Sequence, residues 1–222
     1  MWVIRFTLAK KSWSGVSSRP RIGLLGGTFD PPHWGHLWLA ELARGQLKLD
    51  NVLFLPVGEP VHKTDRQITA VPHRLQMVSL AIQNNPHFVL DTTDCDRSGP
   101  HTTVTLLPLL RQAYPNANFW LIVGGDSLRD LPTWSHPEQL IKLCRLAVLP
   151  RPGTEIDWAL LETAVPGSKT AVDMLSGPTL SISATAIRHW VRQGHEPSYL
   201  LPTAVSDYIQ QHHLYHQEQA AL

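Results

Sequence analysis

Short apolar runs recur along the chain at residues 22–26, 52–56, 88–90, 118–123, 145–149 and 171–175. Each is nearly continuous in apolar character, which suits a parallel strand covered on both faces. Between them, Leu39, Leu42, Ala43 and Leu47 share one helical stripe. Residues 73–83 carry Leu75, Val78 and Ile82, and residues 104–114 carry Leu106, Leu107 and Leu110, at compatible spacing. Strand and helix alternating at this rhythm predict an α/β fold, a doubly wound and mostly parallel sheet with right-handed crossovers. Residues 21–222 read as a single domain. In such sheets ligands sit beyond the carboxyl ends of the strands, so the strand-to-helix loops are where chemistry is expected.

The 222-residue chain is long enough to bury this core without staples, since a domain of that size hides roughly 70% of its unfolded surface. No stretch approaches the ~20 uninterrupted apolar residues of a membrane span. Cys95 and Cys144 are too few for a disulfide framework or a four-ligand zinc site, and are expected to pack as small hydrophobes. A formal net charge of +1 makes no electrostatic case for nucleic acid. The expectation is a cytoplasmic protein with neither membrane nor nucleic-acid partners. Residues 1–20 differ from the rest: they hold Arg5, Lys10, Lys11 and Arg19 and no acid. They lack the apolar core of a secretory signal and read as a disordered basic leader.

The first loop runs Gly26-Gly27-Thr28-Phe29-Asp30-Pro31-Pro32-His33-Trp34-Gly35-His36. Paired glycines after a strand let a bulky polyanion approach the main chain. The string is neither a Walker A loop nor a Gly-x-Gly-x-x-Gly fingerprint. A helix is expected to begin near Trp34, which would put His33 and His36 on one side of its positive end, a natural phosphate site. The last loop, Ile182-Ser183-Ala184-Thr185-Ala186-Ile187-Arg188, offers Ser183 as a helix N-cap and Gly194 as a stop. Ile187, Trp190 and Val191 would share the buried face. Hydroxyls, N–H groups and the Arg188 guanidinium would together cradle phosphates.

The two strings, in this order, resemble the paired signatures of the nucleotidylyltransferase superfamily. The doubled glycine with Thr-Phe-Asp-Pro is similar to the bacterial nicotinate-nucleotide adenylyltransferase family in particular. The resemblance implies a Rossmann-like fold with His33, His36 and Arg188 as catalytic residues at the ATP phosphates. It also implies that Gly26, Gly27, Thr28, Phe29, Ile182, Ser183 and Thr185 lie along the nucleotide. One departure is Ala184, where some members have serine.

The middle loops bear on the second substrate. His62-Lys63 resembles a family segment whose lysine brings positive charge near the phosphates, making Lys63 a substrate-binding candidate. His73-Arg74 matches a pattern read as mainly structural. Pro100-His101-Thr102-Thr103-Val104-Thr105 stands where the family has Ser-Tyr-Thr-x-x-Thr. The resemblance implies that Thr102 and nearby amides grip a pyridine carboxylate, and His101 replaces the usual tyrosine. A protonatable imidazole there would favour a carboxylate over an uncharged amide. Gly124-Gly125-Asp126-Ser127-Leu128 and the Trp134 segment also resemble stretches of the family, which implies Gly124 and Asp126 at the nucleotide, with the carboxylate accepting from ribose hydroxyls. Trp134 would stack on the pyridine ring.

The reaction implied by the resemblance is adenylyl transfer from ATP to nicotinate mononucleotide, giving nicotinate adenine dinucleotide and pyrophosphate in NAD biosynthesis. Mg²⁺ would be carried by ATP rather than by a protein cage. His212 and His216 are four apart, but helix-end histidines are favoured by the dipole, and no protein metal site is expected. The alternative acceptor is nicotinamide mononucleotide. Outside enzymes, the alternative is a nucleotide-binding sensor without turnover.

Overall fold

The computed structural model describes residues 19–58, 68–151, 153 and 155–216. The leader up to residue 18 and the Lys63 segment lie outside the described residues. Six strands form one sheet: β1 (Arg21–Gly27), β2 (Asn51–Pro56), β3 (Phe88–Leu90), β4 (Asn118–Gly124), β5 (Arg145–Leu149) and β6 (Val172–Met174). Every pairing is parallel and the order is β3-β2-β1-β4-β5-β6. The chain winds outward from β1 to β3, then returns past β1 to start the other half at β4. The topological switch point therefore lies between β1 and β4, where crevices open beyond the strand ends.

Helices cover both faces. On one, α1 (Trp34–Leu47) and α2 (Val71–Ile82) bury Leu37, Ala40, Ala43, Val78 and Ile82 against Leu25, Phe54 and Ile122 of the sheet. On the other, α3 (Thr103–Ala113) sets Leu106, Leu107 and Leu110 on Leu24, Leu53 and Leu121. That face also takes up Leu128 of α4 (Gly125–Arg129), Leu140 of α5 (Pro137–Leu143) and Leu161 of α6 (Trp158–Ala164). The single turn α7 (Ser168–Ala171) leads into β6. A third cluster packs Ile187 and Val191 of α8 (Ala184–Arg192) and Val205 and Ile209 of α9 (Thr203–Gln211) on Met77 of α2. Each such aliphatic side chain, fully buried, stabilises by about 1.5–3 kcal/mol. This cluster anchors the C-terminal helices beside the first loop.

The strand expectations hold to within a residue or two, because two-sided burial demands an unbroken apolar run. Trp190 is a correction. It does not join Ile187 and Val191 in the core but is 44% exposed, with its indole N–H donating to the Glu196 carbonyl. Cys144 is buried and Cys95 half-buried, and neither is in a disulfide. Among the described residues no helix is long and apolar enough to cross a membrane.

Candidate active site at the sheet switch point

The first loop leaves β1 and enters α1 with His33 at the N-cap and His36 in the first turn. Phe29, at φ 51° and only 2% exposed, turns its ring under His36 (centroids 5.0 Å apart, edge to face). His33 and His36 stack at 3.8 Å. The His33 backbone N–H donates to His36 Nδ1 at 3.2 Å. A neutral imidazole bonded this way carries its proton on Nε2, so His36 presents an N–H donor. His33 Nδ1 is buried with no hydrogen-bond partner among the described residues. A buried polar atom left without one costs about 1–3 kcal/mol, so such atoms are concentrated where ligands bind.

Burial also decides the charge of the pair. Desolvation holds His33 down to about 4, and desolvation with repulsion from His33 holds His36 down to about 3. Both are neutral at pH 7, so in the ligand-free protein they act as hydrogen-bonding groups rather than as cations. The positive charge among the three expected catalytic residues belongs to Arg188.

Arg188 brings the two ends of the chain together. It sits in α8, 6% exposed, and donates from Nη1 to the Asp30 carbonyl at 2.6 Å and from Nη2 to Thr185 Oγ1 at 3.0 Å. Ser183 caps α8 as expected, its hydroxyl oxygen accepting from Ala186 N–H at 3.1 Å. Gly35 lies under this junction: a Cβ there would meet the His33 ring at 3.0 Å and stand 3.7 Å from the Ile182 carbonyl. The loop is braced from behind. Tyr215 O–H donates to Asp30 Oδ1 at 2.7 Å. Arg74, 1% exposed, donates to the carbonyls of Thr28, Val57, Gly58 and Thr69. The structural reading of Arg74 is therefore supported, and Tyr215 is a brace that no sequence pattern revealed.

Gly26, next to last in β1, and Gly124, last in β4, sit at the ends of the two strands that flank the switch point. A Cβ on either would meet nothing within 4 Å, so both front open space in which a large ligand can lie along the main chain. Asp126 lies just beyond, in α4. Its carboxylate pairs with Arg151 on the exit of β5 at 2.9 Å and remains 41% exposed. Sequence reasoning missed Arg151, although its place after a parallel strand was a usable signal.

A cavity of about 310 Å³ adjoins the same strand ends, lined by Gly26, Gly27, His101, Thr102, Trp134 and Asp94 among others. That is within the range of small-ligand sites. Thr102 is the N-cap of α3, so unsatisfied helix N–H groups meet the cavity, a setting suited to a carboxylate. Trp134 is half-buried, both lining the cavity and packing on the core. Of the expected site residues, Arg188, which also bonds Thr185, reaches the loop that carries His33 and His36, and Gly26, Gly27, His101, Thr102 and Trp134 line one cavity at the strand ends, while Lys63 lies outside the described residues.

A parallel sheet wound in this order, with stacked imidazoles on its first strand-to-helix loop and a buried arginine bonded to that loop, defines a nucleotide-binding α/β protein of the nucleotidylyltransferase class. A family model described as cytidylyltransferase-like matches residues 24–190. A protein of Thermomicrobium roseum named "Probable nicotinate-nucleotide adenylyltransferase" is 44% identical over 202 residues, covering 91% of this chain and 94% of that one. A Bacillus pumilus protein of the same name is 39% identical, covering 88% and 98%. The chain thus belongs to the cytidylyltransferase-like proteins, in the nicotinate-nucleotide adenylyltransferase family. Among solved structures, the Plasmodium falciparum nicotinic acid mononucleotide adenylyltransferase complexed with NaAD shares the fold. Its TM-score is 0.71 at 21% identity, covering 88% of this chain and 97% of that one.

Proposed function

We propose that this protein transfers the adenylyl group of ATP to nicotinate mononucleotide, releasing pyrophosphate and forming nicotinate adenine dinucleotide. The observation that carries the reading is the Arg188–Asp30 contact. It joins the two signature strings beside a ring-sized cavity at the switch point. The names of the relatives at about 40% identity point to the same acceptor.

In this reading an oxygen of the mononucleotide phosphate attacks the α-phosphorus of ATP in line. A new P–O bond forms as the bond to the β-phosphate oxygen breaks, and pyrophosphate departs. No covalent enzyme intermediate is needed, so the protein acts by positioning and by stabilising charge as it develops. His36 Nε2–H, the positive end of the 14-residue helix α1 and the Arg188 guanidinium are the groups that do this. Gly26, Gly27, Gly124, Ile182 and Ser183 line the nucleotide's path, Asp126 takes ribose hydroxyls, and Trp134 and Thr102 hold the pyridine.

Mg²⁺ prefers several oxygen ligands. Neutral imidazoles and a guanidinium do not make such a set, so in this reading Mg²⁺ would be held by the triphosphate itself and would supply positive charge beside the phosphates, while His36 and Arg188 orient them. A cytoplasmic setting belongs to this reading, and two cysteines outside any disulfide fit a reducing compartment.

The test is pyrophosphate release with ATP and nicotinate mononucleotide, nicotinamide mononucleotide or phosphopantetheine. Preferred use of nicotinate mononucleotide is expected. Turnover with phosphopantetheine alone, or with none of the three, would overturn the reading.

A further inference from the structure

His101 stands at the acceptor cavity with its side chain only 6% exposed, and its surroundings constrain its proton. Asp94 Oδ2 is 3.2 Å from His101 Nδ1 and accepts from the Gly58 backbone N–H at 3.3 Å. Asp94 Oδ1 takes Arg97 Nε at 2.8 Å and Nη2 at 2.6 Å. Arg97 in turn donates from Nη1 to the Pro100 carbonyl and Thr105 Oγ1, so the whole turn before α3 is knitted to this carboxylate. Asp94 itself is 4% exposed. The fit is close: a Cβ on Gly58 would stand 2.8 Å from His101 Cε1 and 3.0 Å from the Asp94 carbonyl.

An ionised carboxylate only accepts hydrogen bonds, so the Asp94 contact places a proton on His101 Nδ1. Nε2 is then the nitrogen left for a ligand, and it has no partner among the described residues. A neutral ring offers a lone pair there, which suits the N–H of a carboxamide. A protonated ring offers an N–H, which suits a carboxylate and makes a charge-assisted bond. Among the described residues, the charged groups facing the ring are Asp94 and, behind it, Arg97. The exit of β2 contributes Gly58, and the segment after β4 contributes Ser127 and Trp134, none of which titrates. The nearby Cys95 thiol donates to the Pro56 carbonyl at 3.0 Å.

We propose that Asp94 is a positioning residue that acts through His101 to couple acceptor choice to a proton. The acid acceptor binds with His101 protonated on both nitrogens, and the amide acceptor binds with Nε2 bare. This rests on the function proposed above and extends it, making acid-over-amide preference a property that falls as pH rises.

The experiment measures kcat/KM for nicotinate and nicotinamide mononucleotides from about pH 5 to about pH 8. In the unmodified protein the acid-to-amide ratio should fall about tenfold across the range, the scale of one charge-assisted hydrogen bond. His101→Gln, which cannot gain a proton, should hold the ratio flat. Asp94→Asn should raise KM for the acid acceptor about tenfold more than KM for the amide acceptor, and should flatten the pH dependence of the ratio. A ratio that is level in the unmodified protein overturns the inference. So does equal loss on both acceptors in Asp94→Asn with its pH profile unchanged, which is what a purely loop-holding carboxylate would give. Failure to use either pyridine nucleotide overturns the function and this inference together. Acid turnover with a level ratio sinks only this one.

Discussion

Arg188 Nη1 donates to the Asp30 carbonyl at 2.6 Å across 158 residues of chain. The bond ties the helix that follows the last loop to the turn that precedes the paired histidines. It makes the phosphate end of the site a product of tertiary folding. Arg188→Lys should therefore fail almost as badly as Arg188→Ala, because an ammonium cannot reach the Asp30 carbonyl and Thr185 Oγ1 in one plane. Both should lose about 10²-fold or more in kcat. Steady-state kinetics of the two variants decide it, and a lysine enzyme near full rate would show that charge alone suffices.

His36→Ala should lower kcat by about 10²-fold, the usual loss for one preorganised donor. Because both imidazoles are neutral before ATP arrives, a bound triphosphate should raise their proton affinity and draw protons from solution. Calorimetry in buffers of different ionisation heat reads this directly. Proton uptake on ATP binding should diminish in His36→Ala.

The same burial governs acid stability. His33 and His36 sit near 4 and 3 in the folded chain against an ordinary 6.5, so the unfolded state binds more protons between those values. Stability is then full above about pH 6.5 and falls as pH drops through that window. Half-buried His73, also lowered by burial and by His212, adds in the same direction. The lowered Glu41 and Asp173 act further down, below their ordinary values of 4.5 and 3.8. Urea unfolding between about pH 6.5 and about pH 5 isolates the histidines, and His36→Asn should flatten that slope. A slope unchanged by the substitution would mean the imidazole is not held neutral by the fold.

Tyr215→Phe removes the donor to Asp30 Oδ1 and should cost about 1.5–3 kcal/mol of stability, as for hydrogen bonds to charged groups. Part of the effect should reach the site as a raised KM for ATP, since the brace holds the loop that Arg188 grips. Thermal melts and ATP titrations on one preparation separate the two effects.

Gly58→Ala tests the acceptor side. Its Cβ would press on His101 and on the Asp94 carbonyl, so KM for the pyridine nucleotide should rise while KM for ATP stays put. Equal loss for both substrates would place the damage in the fold rather than in the cavity.

Much of this architecture was readable in the chain itself. Strands such as Arg145–Leu149 announce themselves because both faces are buried. Ser183 was legible as an N-cap and the first loop as a strand-to-helix turn because both depend on neighbours in sequence. The short helices α4 to α7 were not, since four to seven residues hold too few turns to show a period. Asp94, Arg151 and Tyr215 also escaped. Asp94 meets Gly58 and Tyr215 meets Asp30 across 36 and 185 residues, beyond any local pattern.

Local chemistry along the chain determined the elements, their caps and the two signature strings, because each depends on residues a few positions apart. Folding alone decided which groups carry charge and which proton sits on which nitrogen. Those properties follow from desolvation and from partners distant in sequence: Phe29 packed beneath His36, Asp94 against His101, and Asp30 under Arg188.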